Sequence, residues 1–74
     1  MGLPVLTSKE VAAALERAGF SFKSQRGSHA KYVKGGRAAI IPMHDIVAKG
    51  TLRSILLQAG MTAEEFLVLL PGGK

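Results

Sequence analysis

Two adjacent glycines constrain this chain more than any other feature: Gly35-Gly36, between the runs His29–Lys34 and Arg37–Ile41. A two-residue loop joins antiparallel strands, and paired glycines tolerate the positive φ that such turns need. Loop length then sets the pairing register. With Lys34 opposite Arg37, Tyr32 faces Ala39 and Ala30 faces Ile41, which makes a core-side set. His29, Lys31 and Val33 fall on the other face, opposite Pro42, Ile40 and Ala38. Pro42 has no amide to donate and limits the third strand. The register therefore turns His29 away from the core, with Lys31 beside it. His44, two residues beyond Pro42, becomes a diagonal neighbour of His29 if the ladder continues that far, about 7–8 Å away at Cα.

The flanking segments supply helices. Thr7-Ser8-Lys9-Glu10 has the form of a capping box, with Leu6 placed to staple onto Val11. Val11, Ala14, Leu15 and Ala18 recur at helical spacing, and Gly19 suits the left-handed position that ends a helix. Phe20 and Phe22 then alternate with Ser21 and Lys23, the pattern of a half-buried strand that Arg26-Gly27-Ser28 breaks. A second helix is expected from about Lys49 to Ala59, with Leu52, Ile55, Leu56 and Ala59 facing inward and Gly60 ending it. Thr62-Ala63-Glu64-Glu65 is another capping box, opening a last, largely apolar helix over about 62–70. Residues 71–74 read as a frayed tail. The order predicts an α+β layer, with helices on one face of a three-stranded antiparallel sheet. It forms a single domain, 1–74, whose core runs from about 7 to 60.

Charge says what such a layer would meet. The net charge is +5, and between Arg17 and Glu64 the sole acid is Asp45. Lys23, Arg26, Lys31, Lys34, Arg37, Lys49 and Arg53 all lie in that interval, an electrostatic footprint for a polyanion. The chain has no cysteine, which excludes disulfides and thiolate chemistry. Its two histidines and five carboxylates are too scattered for a zinc or calcium pattern, so neither metal nor cofactor is expected. No signal-peptide pattern and no run near the ~20 apolar residues of a membrane span occurs. A soluble cytoplasmic domain with no membrane partner is the expectation.

Four pieces in order carry a resemblance to a known family. They are the helix ending Ala18-Gly19-Phe20, then Arg26-Gly27-Ser28-His29-Ala30-Lys31-Tyr32, then Ile41-Pro42-Met43-His44, and last Lys49-Gly50-Thr51-Leu52-Arg53-Ser54-Ile55-Leu56. Together, from Thr7 to about Gly60, the chain resembles the HicA family of bacterial and archaeal mRNA-cleaving toxins. The resemblance implies a fold like a double-stranded-RNA-binding domain and metal-free endoribonuclease activity, with the strand histidine catalytic, which here is His29. It also implies a cognate antitoxin of the HicB type that binds the toxin and blocks its site. The apolar segment Phe66–Leu70 extends past the shortest family members. Either it completes the core, or it forms an interface with the antitoxin or with a second copy in a homodimer.

The residues present are suited to that chemistry. Metal-free RNA cleavage needs a base for the 2′-OH, an acid for the departing 5′-oxygen, and positive charge at the phosphorane. Histidine, with an ordinary pKa of ~6.5, is the side chain suited to proton transfer near neutrality. His29 is the expected base, Lys31 the expected phosphate holder, and His44 the candidate acid, with water or a second protomer as the alternative. Arg26 lies alongside, and the Gly27 and Ser28 amides are candidate phosphate donors. Lys49, Thr51 and Arg53 sit at a predicted helix start, where amides and dipole favour phosphate. Two other classes stay open: a non-catalytic module that follows RNA-duplex shape, and a small protein-interaction domain. A DNA-binding helix-turn-helix fits poorly, because three strands separate the two main helices.

Overall fold

The computed structural model describes residues 3–70. Its elements run α1 (Ser8–Arg17), β1 (Ser21–Arg26), β2 (His29–Lys34), β3 (Arg37–Pro42), α2 (Lys49–Ala59) and α3 (Ala63–Leu67). This is the helix–sheet–helix order of the double-stranded-RNA-binding-domain fold, with one short helix added. Both capping boxes form. The Thr7 amide donates to Glu10 Oε1 at 2.9 Å while the Glu10 amide donates to Thr7 Oγ1 at 3.2 Å. Thr62 and Glu65 repeat the arrangement at 2.9 and 3.1 Å. Each satisfies two amides that a helix start would otherwise leave bare.

The helix ends are equally explicit. At the end of α1 the Phe20 amide reaches the Leu15 carbonyl and the Gly19 amide reaches Glu16, each at 3.0 Å. Gly19 takes a φ of +102°, the left-handed turn that lets both bonds close. Gly60, at +72°, does the same for α2, where Met61 bonds back to Leu56.

The sheet order is β1-β2-β3, antiparallel throughout, and the β2–β3 register is the expected one from His29↔Pro42 to Lys34↔Arg37. Both hairpin turns are two residues long. Each has positive φ at its first residue, 59° at Gly27 and 58° at Gly35. That is where a II′ turn requires it. The helices cover the face bearing Ala30, Tyr32, Ala39 and Ile41, all buried. Burial raises the pKa of the Tyr32 hydroxyl, and the Glu16 carboxylate adds to the shift. The phenol therefore stays protonated. Val11, Leu15, Leu52, Ile55 and Phe66 complete the core and are almost fully enclosed.

Three expectations are corrected. β1 is not half-buried: all six of its residues are exposed. Phe20 belongs to the cap of α1, and an extra residue at Lys23 shifts the β1–β2 pairing between Phe22 and Ser24. Phe22, 52% exposed, meets Tyr32 in a T-shaped pair, with ring centroids 5.7 Å apart. Next, the last helix stops at Leu67 instead of running to 70. Its residues 69 and 70 turn more tightly, each amide bonding three residues back, while Arg17 Nη1 donates to the carbonyls of Leu69 and Leu70 at 3.2 Å. Phe66 places this segment in the core. Finally, the packed core extends ahead of the first capping box: Leu3 and Leu6 are buried, and Leu6 bridges Val47 through a 2.7 Å amide–carbonyl bond. The tail 71–74 lies outside the described residues.

Candidate functional site

Strand alternation builds the site. Because Ala30 and Tyr32 point into the core, their neighbours His29 and Lys31 must point the other way. His29 is exposed and Lys31 half-buried. The turn before them is tethered on two sides. Gln25 Nε2 donates to the Gly27 carbonyl at 3.0 Å, and the Met43 amide donates to the Ser28 carbonyl. The second bond continues the ladder one step beyond His29↔Pro42 and brings the chain carrying His44 alongside. The His44 amide then folds back onto the Pro42 carbonyl at 2.9 Å, so the strand ends there. A regular ladder does not extend to His44.

Two shallow hollows meet at His29. One, of about 380 Å³, is lined by Ser24, Arg26, His29, Lys31 and Ile40. The other, of about 410 Å³, is lined by His29, Ile40, Pro42 and His44 from the sheet side and by Thr51, Ser54, Ile55 and Gln58 from α2. His29 and Ile40 belong to both. The first hollow is cationic. The second has neutral hydrogen-bonding groups and an apolar floor. An exposed imidazole thus stands between a cationic hollow and one that, apart from His29 and His44, is lined by uncharged groups.

The start of α2 adds to this surface. Its cap residue is Ala48, which offers no side-chain acceptor, so the first-turn amides are left to solvent or a ligand. Such a helix end attracts anions. Lys49 and Thr51 lie in that turn.

Of the residues singled out from sequence, His29, His44 and Thr51 share one hollow, and Arg26, His29 and Lys31 share the other. Gly27 and Ser28 form the adjoining turn. Arg53 is not brought to this place. It borders a separate hollow with Leu3, Leu56, Leu57, Met61 and Ala63. Ser24, Ile40, Ser54 and Gln58 were not anticipated. Spacing held a signal for two of them, because Thr51, Ser54 and Gln58 recur at three and four residues along one side of α2.

A larger hollow, about 590 Å³, lies away from His29, between the Gly35-Gly36 turn and α3. Its cations already have work in the fold. Lys34 Nζ donates to the Ala18 carbonyl at the end of α1. The Arg37 guanidinium lies so close over Gly60 that any side chain there would collide with it. Among the described residues no three His, Cys, Asp or Glu side chains gather as a metal site would require. No described helix is long and apolar enough to cross a membrane.

Comparison with known proteins adds one match. A family model described as the HicA toxin of bacterial toxin–antitoxin systems matches residues 8–61. The match runs from the first residue of α1 to the residue after Gly60, so it contains His29 and every residue of the two hollows beside it. No curated protein matches the chain.

Proposed function

The chain belongs to the HicA toxin family, and from that premise we propose that it is an endoribonuclease that cleaves mRNA without metal, using His29 as general base. Membership makes it the toxin of a toxin–antitoxin pair and implies a cognate antitoxin. The observation that carries the reading further is the position of His29: exposed, beside Arg26 and Lys31 in one hollow, and beside His44 in the next.

In this mechanism RNA lies across the open face of the sheet. The His29 imidazole takes the proton of a 2′-OH, whose oxygen attacks the adjacent phosphorus. Lys31 and Arg26 hold the non-bridging oxygens as charge builds on the phosphorane, the kind of stabilisation that fixed donors supply best away from bulk water. The P–O5′ bond breaks, and His44 or a water delivers a proton to the leaving oxygen. The products are a 2′,3′-cyclic phosphate and a free 5′-OH. The Gly27 and Ser28 amides, Lys49, and the Thr51 end of α2 grip flanking phosphates, with Arg53 a more distant backbone contact. A HicB-type antitoxin would silence the enzyme by covering the His29 face.

Purified wild type and His29→Ala, compared on a defined single-stranded RNA in excess chelator with product ends mapped, test this reading. Cyclic phosphate ends from wild type alone support it. Equal cutting by both removes His29 from the chemistry. Salt-sensitive binding by both, with no cutting by either, replaces the enzyme with a non-catalytic RNA-binding module.

A further inference from the structure

The hollow on the α2 side of His29 has no lysine or arginine in its lining, and its titratable lining groups are His29 and His44. Its α2 wall presents Thr51, Ser54 and Gln58, all neutral, above Ile40, Pro42 and Ile55. Neutral donors and acceptors around an apolar floor suit a planar, uncharged group with a polar edge. The next hollow, with Arg26 and Lys31, already supplies charge. On RNA those two needs belong to one nucleotide, its base and its phosphate.

Gln58 carries a more specific message. Its Oε1 accepts the Ile40 amide on β3 at 2.8 Å. Only the oxygen of a carboxamide can accept from an N–H, so this bond sets the orientation of the group. The NH2 of Gln58 donates to no other described residue and is the end of the amide left without a protein partner. Bidentate pairing of a glutamine with adenine needs both ends of the amide aligned with the base edge, and here the oxygen, though it keeps a second lone pair, is held against β3 by the Ile40 amide. The NH2 donating by itself fits a base edge that presents a carbonyl.

We infer that the hollow is a base-recognition subsite for a nucleotide beside the cleaved bond, in which the pinned Gln58 amide favours a carbonyl-bearing base such as uracil over adenine. The inference rests on the ribonuclease reading for its place in the reaction, but its recognition chemistry stands on the hollow itself. Gln58 is a specificity residue, and His29 remains the base.

Gln58→Glu is the decisive variant. It keeps an oxygen for the Ile40 amide, so β3 and α2 stay joined, and it exchanges the NH2 for a second acceptor. The measurement is kcat/KM on short oligoribonucleotides that differ only in carrying uracil or adenine on one side or the other of the cleaved bond. Wild type should prefer uracil at one of the two positions by about five- to tenfold, the scale of one neutral hydrogen bond. The variant should lose or reverse that ratio, because adenine offers an amino donor. Repulsion of the RNA backbone by the added negative charge slows both substrates alike, so the change in ratio reports the lost donor alone. Ser54→Ala, uncharged, should also shift the ratio. Equal ratios in wild type and Gln58→Glu overturn the inference and reduce Gln58 to a tie between α2 and β3. If wild type cuts neither substrate, the ribonuclease reading fails separately. The same oligoribonucleotides are then compared by equilibrium binding, where a uracil-to-adenine affinity ratio that the variant changes upholds the subsite and an unchanged one overturns it.

Discussion

The turns at Gly27-Ser28 and Gly35-Gly36 have the same construction, two residues with positive φ at the first, and basic residues flank both. They stand at opposite ends of the sheet. At the Gly35 end, Lys34 donates to the Ala18 carbonyl that caps α1 and Arg37 lies over the end of α2. Both cations thus sit where a helix dipole is negative. At the Gly27 end, Arg26 and Lys31 line an open hollow with His29. A basic tract is therefore two populations. One neutralises the protein's own helix termini, and the other faces outward for a polyanion. Only the second should count as an interface.

The largest expected effect comes from the His29 end. His29→Ala should lower the cleavage rate by about 10²–10⁴, the range for loss of a general base, while RNA binding by gel shift stays near wild type. Next, replacing Arg26 and Lys31 with alanine should weaken RNA binding and flatten the dependence of log affinity on log salt by about 2, roughly one unit for each phosphate contact. The same double change at Lys34 and Arg37 should leave that slope unaltered. Equal flattening from both pairs would break the comparison.

The Gly35 end should answer in stability instead. Gly60→Ala forces a Cβ into left-handed backbone and displaces the Arg37 guanidinium, and should cost about 1–2 kcal/mol. For a domain of this size that is a fall of roughly 4–16 °C in Tm by calorimetry. Lys34→Ala, which removes one cation from the end of α1, should cost less, about 0.3–1 kcal/mol. That deficit should shrink as salt rises, whereas that of Gly60→Ala should not.

The β2–β3 pairing was legible because a two-residue glycine turn leaves one register, and that register alone sends His29 outward. The capping boxes were legible because both partners lie within four residues. Errors arose where a local pattern had two meanings. Phe20 alternates with Phe22 as in a strand, yet it closes the cap of α1, and the bulge after Phe22 cancels the alternation. Leu69 and Leu70 are apolar enough for a helix, but Pro71 follows, and the residue before a proline is driven out of helical backbone. The bridge from Leu6 to Val47 joins segments far apart in sequence, so no local pattern could announce it. At the two hollows beside His29, reading by charge singled out Arg26 and Lys31 and passed over Ser54 and Gln58. Neutral side chains leave no mark in a charge census, and only their spacing on α2 relates them to Thr51.

One consequence follows from the extra residue at Lys23. β1 is the outermost strand on its side, and its residues are all exposed. A smooth strand there would invite the edge strand of a second copy to zip alongside it. The bulge breaks the even row of amides and carbonyls, and it sets a lysine at the break. With the bulge and Lys23 at its edge, the sheet carries its own guard against pairing with another edge strand.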